Sequence, residues 1–302
     1  MRSQRIEWLD VAKGIAILLM VAGHTTIPKP VSNFIWAFHM PLFFIASGWC
    51  TRWGGQYGEF VMKKIKSLLV PFAIYTAIVL PLDCLIGVTS FNDWLINGWG
   101  GVALWFIPVL FLALILARAI MTMSRNVYRC IVIVVLLASG IALHKLNGGH
   151  NWTLSSVPYA TCLIILGSYA KKYTVVINDP RWWWVVTSMI LTAAISHFWR
   201  LDMAWNLIMP VVPLTIGAVT GTFMVFCISS YICKFSKPLT KLLSSIGQET
   251  YLILAFSQII IGLMLHYTGW SSPIRYTIMI PTLVVLKYLK DLINKIVGQK
   301  IL

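Results

Sequence analysis

The chain has 302 residues, of which 59% are hydrophobic and only 11% charged, with a formal net charge of +15 and a mean hydropathy of +0.81. A soluble domain has about 45–50% apolar and about 25% charged residues, so this composition excludes an ordinary water-soluble domain and points to an integral membrane protein. The positive charge would suit nucleic acid if it were clustered, but it is dealt out in short segments between apolar runs.

Ten such runs follow one another, near 9–28, 31–51, 67–87, 101–122, 128–144, 155–170, 181–199, 206–232, 243–266 and 274–293. Spanning hydrocarbon takes about 20 residues of helix. The runs predict an all-α bundle of about ten transmembrane helices, forming one domain over 1–302. With both termini cytoplasmic, the inner segments hold 19 of the 24 Lys and Arg residues and the outer segments 4 (Lys29, Lys145, Arg200 and Arg275), with Lys13 inside a span. That asymmetry is the positive-inside pattern. It explains the charge as topology and leaves no role for a nucleic-acid partner.

The first run, "DVAKGIAILLMVAGH", keeps Glu7 and Asp10 at its start and His24 at its far end. Neither suits a cleavable leader, so the helix is expected to stay as an anchor. At about 100° per residue Asp10, Lys13 and His24 share one face, with Lys13 and His24 about 16 Å apart along the axis. Ionisable groups inside a span are costly and usually face a cavity or a partner. A face with a cation low and an imidazole high suits the wall of a passage. Asp10 is equally well read as the partner of Lys13 in an i,i+3 ion pair at the helix entrance.

The second run contains "FHMPLFFIASG". Pro41 lacks an N–H and crowds the carbonyl four residues earlier, which frees a carbonyl near residue 37, beside His39. His39 either serves a function in the outer half of the membrane or hydrogen-bonds a neighbouring helix. Ser47 and Gly48 are small enough for close helix packing.

The segment "KKIKSLLVP" places Lys63, Lys64 and Lys66 at the cytoplasmic start of the third helix. Such a cluster anchors a helix or holds an anionic, phosphorylated donor. Next, "LWFIPVLF" carries Trp105 in an aromatic, Pro-bearing span. "IGQETYLILAFSQ" puts Glu249 where it favours a helix N-terminus. His144, His150, His197 and His266 fall at outer ends or loops and need no role. The outer loops are short, turn-rich and aromatic. The six cysteines are scattered without a C-x-x-C pair and read as packing residues, with no metal site.

The order "DVAKGIAILLMVAGH", "FHMPLFFIASG", a basic segment ending in Pro, then "LWFIPVL", resembles the membrane-bound acyltransferase-3 family, closest to its fucose 4-O-acetylase-like members. Most of the match lies in the first 110 residues. The basic-residue, ten-spacer, His motif falls on Lys13 and His24. The F-H-M-P-x-F-F-x-x-S-G motif falls on Phe38 to Gly48, and the basic cluster on Lys63, Lys64 and Lys66. Many members end a later pattern in His where this chain has Ser257, so no role of that histidine is carried over.

The resemblance implies a multi-pass protein of the bacterial inner membrane. It would move an acetyl group from cytoplasmic acetyl-CoA to a hydroxyl of a cell-surface or lipid-linked polysaccharide sugar. His24 would be the general base or a transient acyl carrier, since an imidazole titrates in the range such a base needs. His39 would orient or assist. Lys13, Lys63, Lys64 and Lys66 would hold the CoA phosphates and the pantetheine arm, with Asp10, Ser47, Trp105 and Glu249 completing the candidate binding set. The rivals are a transporter of an acyl donor or lipid-linked sugar, which favours internal repeats and paired broken helices, and a polysaccharide polymerase, which needs long charged outer loops. None of these features is found.

Overall fold

The computed structural model describes residues 5–24, 27–99, 102–147 and 152–297. Arg2, His150 and Lys300 lie outside them. Among the described residues the regular structure is helical throughout.

α1 (Glu7–Gly23) and α2 (Lys29–Cys50) run antiparallel. At one end Trp8 stands edge-on to Trp49, ring centroids 5.4 Å apart. At the other, the Trp36 indole donates to the Gly23 carbonyl at 3.4 Å. Pro30 near the start of α2 costs nothing, because the first helical N–H groups have no partner within the helix. Pro41 sits inside α2, which continues through it.

The third span is longer than its apolar run. α3 (Tyr57–Lys64) passes through a π-helical turn, Ile65–Leu69, into α4 (Val70–Leu85), so Lys63, Lys64 and Lys66 lie in the first third of one continuous helix. The segment after α4 holds a short helix, α5 (Phe91–Asn97), capped by Ser90, whose Oγ accepts from the Asp93 N–H at 3.1 Å. A 3₁₀ turn, Ala103–Trp105, leads into α6 (Phe106–Met121), followed by α7 (Asn126–Asn147), α8 (Val157–Ala170), α9 (Thr174–Asn178) and α10 (Trp182–Phe198). The chain then forms α11 (Val211–Phe235), α12 (Lys237–Gln248), α13 (Thr250–Thr268) and α14 (Ser272–Val297).

Seven described helices are long and apolar enough to cross a membrane, counting α3–α4 and the stretch around α8 as one each. The sequence predicts about ten. The difference lies in α1 and α10, which have 17 residues each, and in α14, whose apolar pattern is broken by Arg275, Lys287, Lys290, Asp291 and Lys295. The ninth run also divides. Residues 243–248 close the polar-faced α12, and the apolar helix starts at Thr250. At about 1.5 Å per residue, the 12 residues of α12 are too few to cross hydrocarbon.

α12 lies flat along α1, and glycine makes that approach possible. A Cβ on Gly14 would overlap the Leu243 carbonyl oxygen, and one on Gly247 would overlap the Asp10 carbonyl oxygen. α2 and α8 meet in the same reciprocal way, through Gly48 against Ile164 and Gly167 against Ile45. Without a hydrophobic driving force between helices in lipid, close van der Waals contact of this kind is what joins them.

The antiparallel packing gives the molecule two chemically different ends. One gathers Arg5 and Lys13 on Asp10, Lys234 on Asp179 at 2.7 Å and Lys290 on Glu249. Arg118 also lies there, donating to the Gly55 carbonyl at 2.6 Å. The other end carries His24, Trp36, His39 and the Trp199–Pro210 connection.

Candidate active site

At that second end a cavity of about 30 Å³ opens between α1, α2, the turn before α6 and the connection between α10 and α11. Its walls include His24, His39, Trp36, Trp105, Asp202 and the flexible side chains of Met20, Met40 and Met203. The two histidines singled out by sequence therefore face one space, although they come from different helices.

His39 is buried, 4% exposed. Its Nδ1 lies 2.9 Å from the Ile35 carbonyl oxygen one turn back on α2. A carbonyl only accepts, so Nδ1 carries the proton and the lone pair is left on Nε2. The imidazole thus bonds its own helix, through a different carbonyl from the one near residue 37 that Pro41 was expected to free. Its ring meets Trp36 at 5.8 Å between centroids, and Trp36 in turn meets His24 at 5.5 Å. The one indole therefore touches both imidazoles. His24 follows the last turn of α1 and is exposed. The Tyr276 hydroxyl of α14 donates to its backbone carbonyl at 3.1 Å, fixing where α1 ends.

The Trp199–Pro210 connection supplies the remaining wall. The Arg200 guanidinium lies over the Trp36 ring, 4.2 Å from its centroid. Its Nη2 donates to Asp202 Oδ2 at 3.2 Å. Asp202 and Leu207 exchange backbone hydrogen bonds of 3.1 and 2.8 Å, which closes the connection into a tight ribbon. Asn206 ties it to the Gly140 carbonyl of α7 at 3.0 Å, and Ser156 donates to the Met203 carbonyl. Asp202 is 3% exposed. Burial pushes its carboxyl above the usual carboxylate range, opposed by Arg200 and by the Trp205 and Ala204 amides. Its Oδ1 has no hydrogen-bond partner among the described residues.

The other candidates stand elsewhere. Asp10 is held between Arg5 at 2.9 Å and Lys13 at 3.4 Å, the local ion pair that sequence allowed as one of two readings. Lys13 is half-buried at the basic end. On the shared face of α1 between it and His24, Ile17 and Met20 are buried, so that face is packed rather than open. Ser47 donates to the Phe43 carbonyl at 2.7 Å, within its own helix. Lys63 and Lys66 line an open groove of about 570 Å³ with Glu59, Met62 and Ser67, whereas Lys64 turns onto the Phe60 ring at 5.4 Å. Glu249 pairs with Lys290 of α14 instead of approaching the histidines. Ser257 is buried, with an unpartnered Oγ among the described residues.

The structure thus unites His24, His39 and Trp105, and leaves Lys13, Asp10, Ser47, Lys63, Lys64, Lys66 and Glu249 away from them. It adds Trp36, Arg200 and Asp202, which sequence reasoning passed over. A signal existed, because only nine acidic residues occur in the whole chain and Asp202 is one of them, between two apolar runs and two residues from Arg200.

A family model described as an acyltransferase domain matches residues 6–290. No curated protein and no solved structure matches the chain.

Proposed function

The chain belongs to the membrane-bound acyltransferase-3 family, and from that membership we propose that it is an O-acetyltransferase, taking acetyl from cytoplasmic acetyl-CoA to a sugar hydroxyl of a cell-surface or lipid-linked polysaccharide. The observation that carries the reading is the single cavity lined by His24 and His39. In this reading ten helices span a bacterial inner membrane, with α1, α10 and α14 joining the seven that are long and apolar enough and both termini in the cytoplasm. The basic end then faces the donor and the histidine end faces the acceptor.

The chemistry follows from the imidazoles. A sugar hydroxyl is a weak nucleophile at neutral pH and needs a base in the transition state, an effect typically worth about 10²–10⁴-fold. The hydroxyl proton passes to His24, the new O–C(acyl) bond forms, and the thioester C–S bond breaks. The proton then leaves on the CoA thiolate. In the two-step course a His24 ring nitrogen attacks the thioester, the C–S bond breaks and the CoA thiolate leaves with the imidazole proton. The hydroxyl then attacks the acyl-imidazole, the C–N bond breaks, and the hydroxyl proton ends on the freed His24 nitrogen. In that second step, with His24 acylated, the lone pair left on His39 Nε2 accepts the hydrogen bond of the incoming hydroxyl and holds it in line.

Lys63 and Lys66, with Lys13, take the CoA phosphates at the basic end as point charges. The donor's extended arm bridges the roughly 16 Å of helix between Lys13 and His24, and Ile17 and Met20 give way to it. Transfer from labelled acetyl-CoA in proteoliposomes tests the reading, comparing the wild type with His24→Ala. Full transfer by a folded alanine variant removes His24 from the chemistry. A labelled acyl-histidine trapped in the absence of acceptor selects the two-step course.

A further inference from the structure

Asp202 has no place in the acyl transfer as written, yet it shares the cavity with both histidines. Its two oxygens are not equivalent. Oδ2 is engaged by Arg200 at 3.2 Å, while Oδ1 is buried and unpartnered among the described residues. A buried polar atom without a partner is destabilising, and in the carboxylate form that oxygen is satisfied only by a donor. The site is therefore built for a ligand that brings one.

Proton accounting says what that ligand is. The hydroxyl that gives its proton to a histidine has none left for Asp202. The cavity volume of about 30 Å³ compares with about 10–15 Å³ for one water on the same measure, so two hydroxyl-sized groups fit and a whole sugar ring does not. We propose that Asp202 makes this cavity a recognition site for a vicinal diol, with one hydroxyl turned to the histidines and its neighbour donating to Asp202 Oδ1. The ring that bears the diol stays outside, against Trp36 and the Arg200 stacked on it. Arg200 holds the Asp202 carboxyl through its other oxygen, Oδ2. This rests on the acyl-transfer reading for its purpose, but the binding claim stands on the cavity alone.

The experiment uses small probes of matched polarity: cis-1,2-cyclohexanediol, trans-1,2-cyclohexanediol and 1,3-cyclohexanediol. Saturation-transfer NMR on the purified full chain in nanodiscs reads binding, and thiol release from acetyl-CoA reads donor chemistry separately. At least one 1,2-diol is expected to bind the wild type at least tenfold more tightly than the 1,3-diol, because a site built to bond a hydroxyl rejects an analogue that misplaces it. Asp202→Asn, checked for folding by thermal unfolding, is expected to reduce that preference to less than threefold.

A wild type that does not prefer either 1,2-diol overturns the proposal whatever the variants do. So does an Asp202→Asn chain that keeps the preference. Absent thiol release with the diol preference intact instead counts against the acetyl-CoA reading and leaves the diol site standing.

Discussion

His39 donates its Nδ1 proton to the Ile35 carbonyl at 2.9 Å, which fixes the tautomer and leaves Nε2 as an acceptor at the cavity. An asparagine in its place cannot reproduce both the bond behind and the lone pair in front. His39→Asn is therefore expected to lower the transfer rate by about 10²-fold at saturating donor, within the range for loss of acid–base assistance. The Michaelis constant for acetyl-CoA should stay within about twofold, because His39 lies far from the basic end. Steady-state kinetics in proteoliposomes check this, and an unchanged rate returns His39 to a purely structural role. Sequence alone exposes His39, because an imidazole in an apolar span stands out against its neighbours. Asp202 is hidden by the opposite circumstance. A carboxylate in a loop is ordinary, and only tertiary packing of the Trp199–Pro210 connection, with its Arg200 over Trp36, buries it.

Two pairs of glycines decide which helices touch. α12 approaches α1 closely enough that Gly14 and Gly247 each back onto a carbonyl of the other helix. These contacts are backbone on backbone, so no side chain can rotate away to make room. Gly247→Ala is expected to destabilise the chain by about 1–3 kcal/mol, the usual cost of overpacking. It should also shift α12 outward, read as a lower thermal midpoint in detergent and faster hydrogen exchange along α12. An alanine chain with an unchanged midpoint would show that α12 docks loosely.

The Gly48–Gly167 crossing is half legible in the sequence, because "IASG" announces a small surface without naming its partner helix. α12 itself is not legible. Its final residues are apolar enough to read as the start of the next span, and only the docked structure separates "KPLTKLLSSIGQ" from α13. Hydropathy measures whether a segment can enter lipid, whereas here the segment is held by a neighbour.

In the proposed acyl transfer the chemistry is divided between two ends of the molecule, and the reaction needs them joined. The basic end carries Lys63 and Lys66 in an open groove, while the histidine end carries a small chamber roofed by the Trp199–Pro210 connection. The distribution of basic residues along the chain already implies this polarity, since the positive-inside pattern works on loop charge alone. The distance between the ends is also readable, because helix rise fixes it. What sequence does not show is that α1 is packed between them.

A donor that binds at one end and reacts at the other predicts a kinetic split. Replacing Lys63 and Lys66 together by glutamine should raise the Michaelis constant for acetyl-CoA by about tenfold or more, as phosphate charge goes unmatched. The rate at saturating donor should stay near that of the wild type, because binding lost equally from ground and transition states leaves that rate alone. Rising salt should weaken donor binding in the wild type more than in the double variant, since exposed charges are screened over about 10 Å at 0.1 M. If the double variant instead lost its maximal rate with the Michaelis constant unmoved, the groove would be part of the chemistry or of the fold, and the donor would have to enter elsewhere.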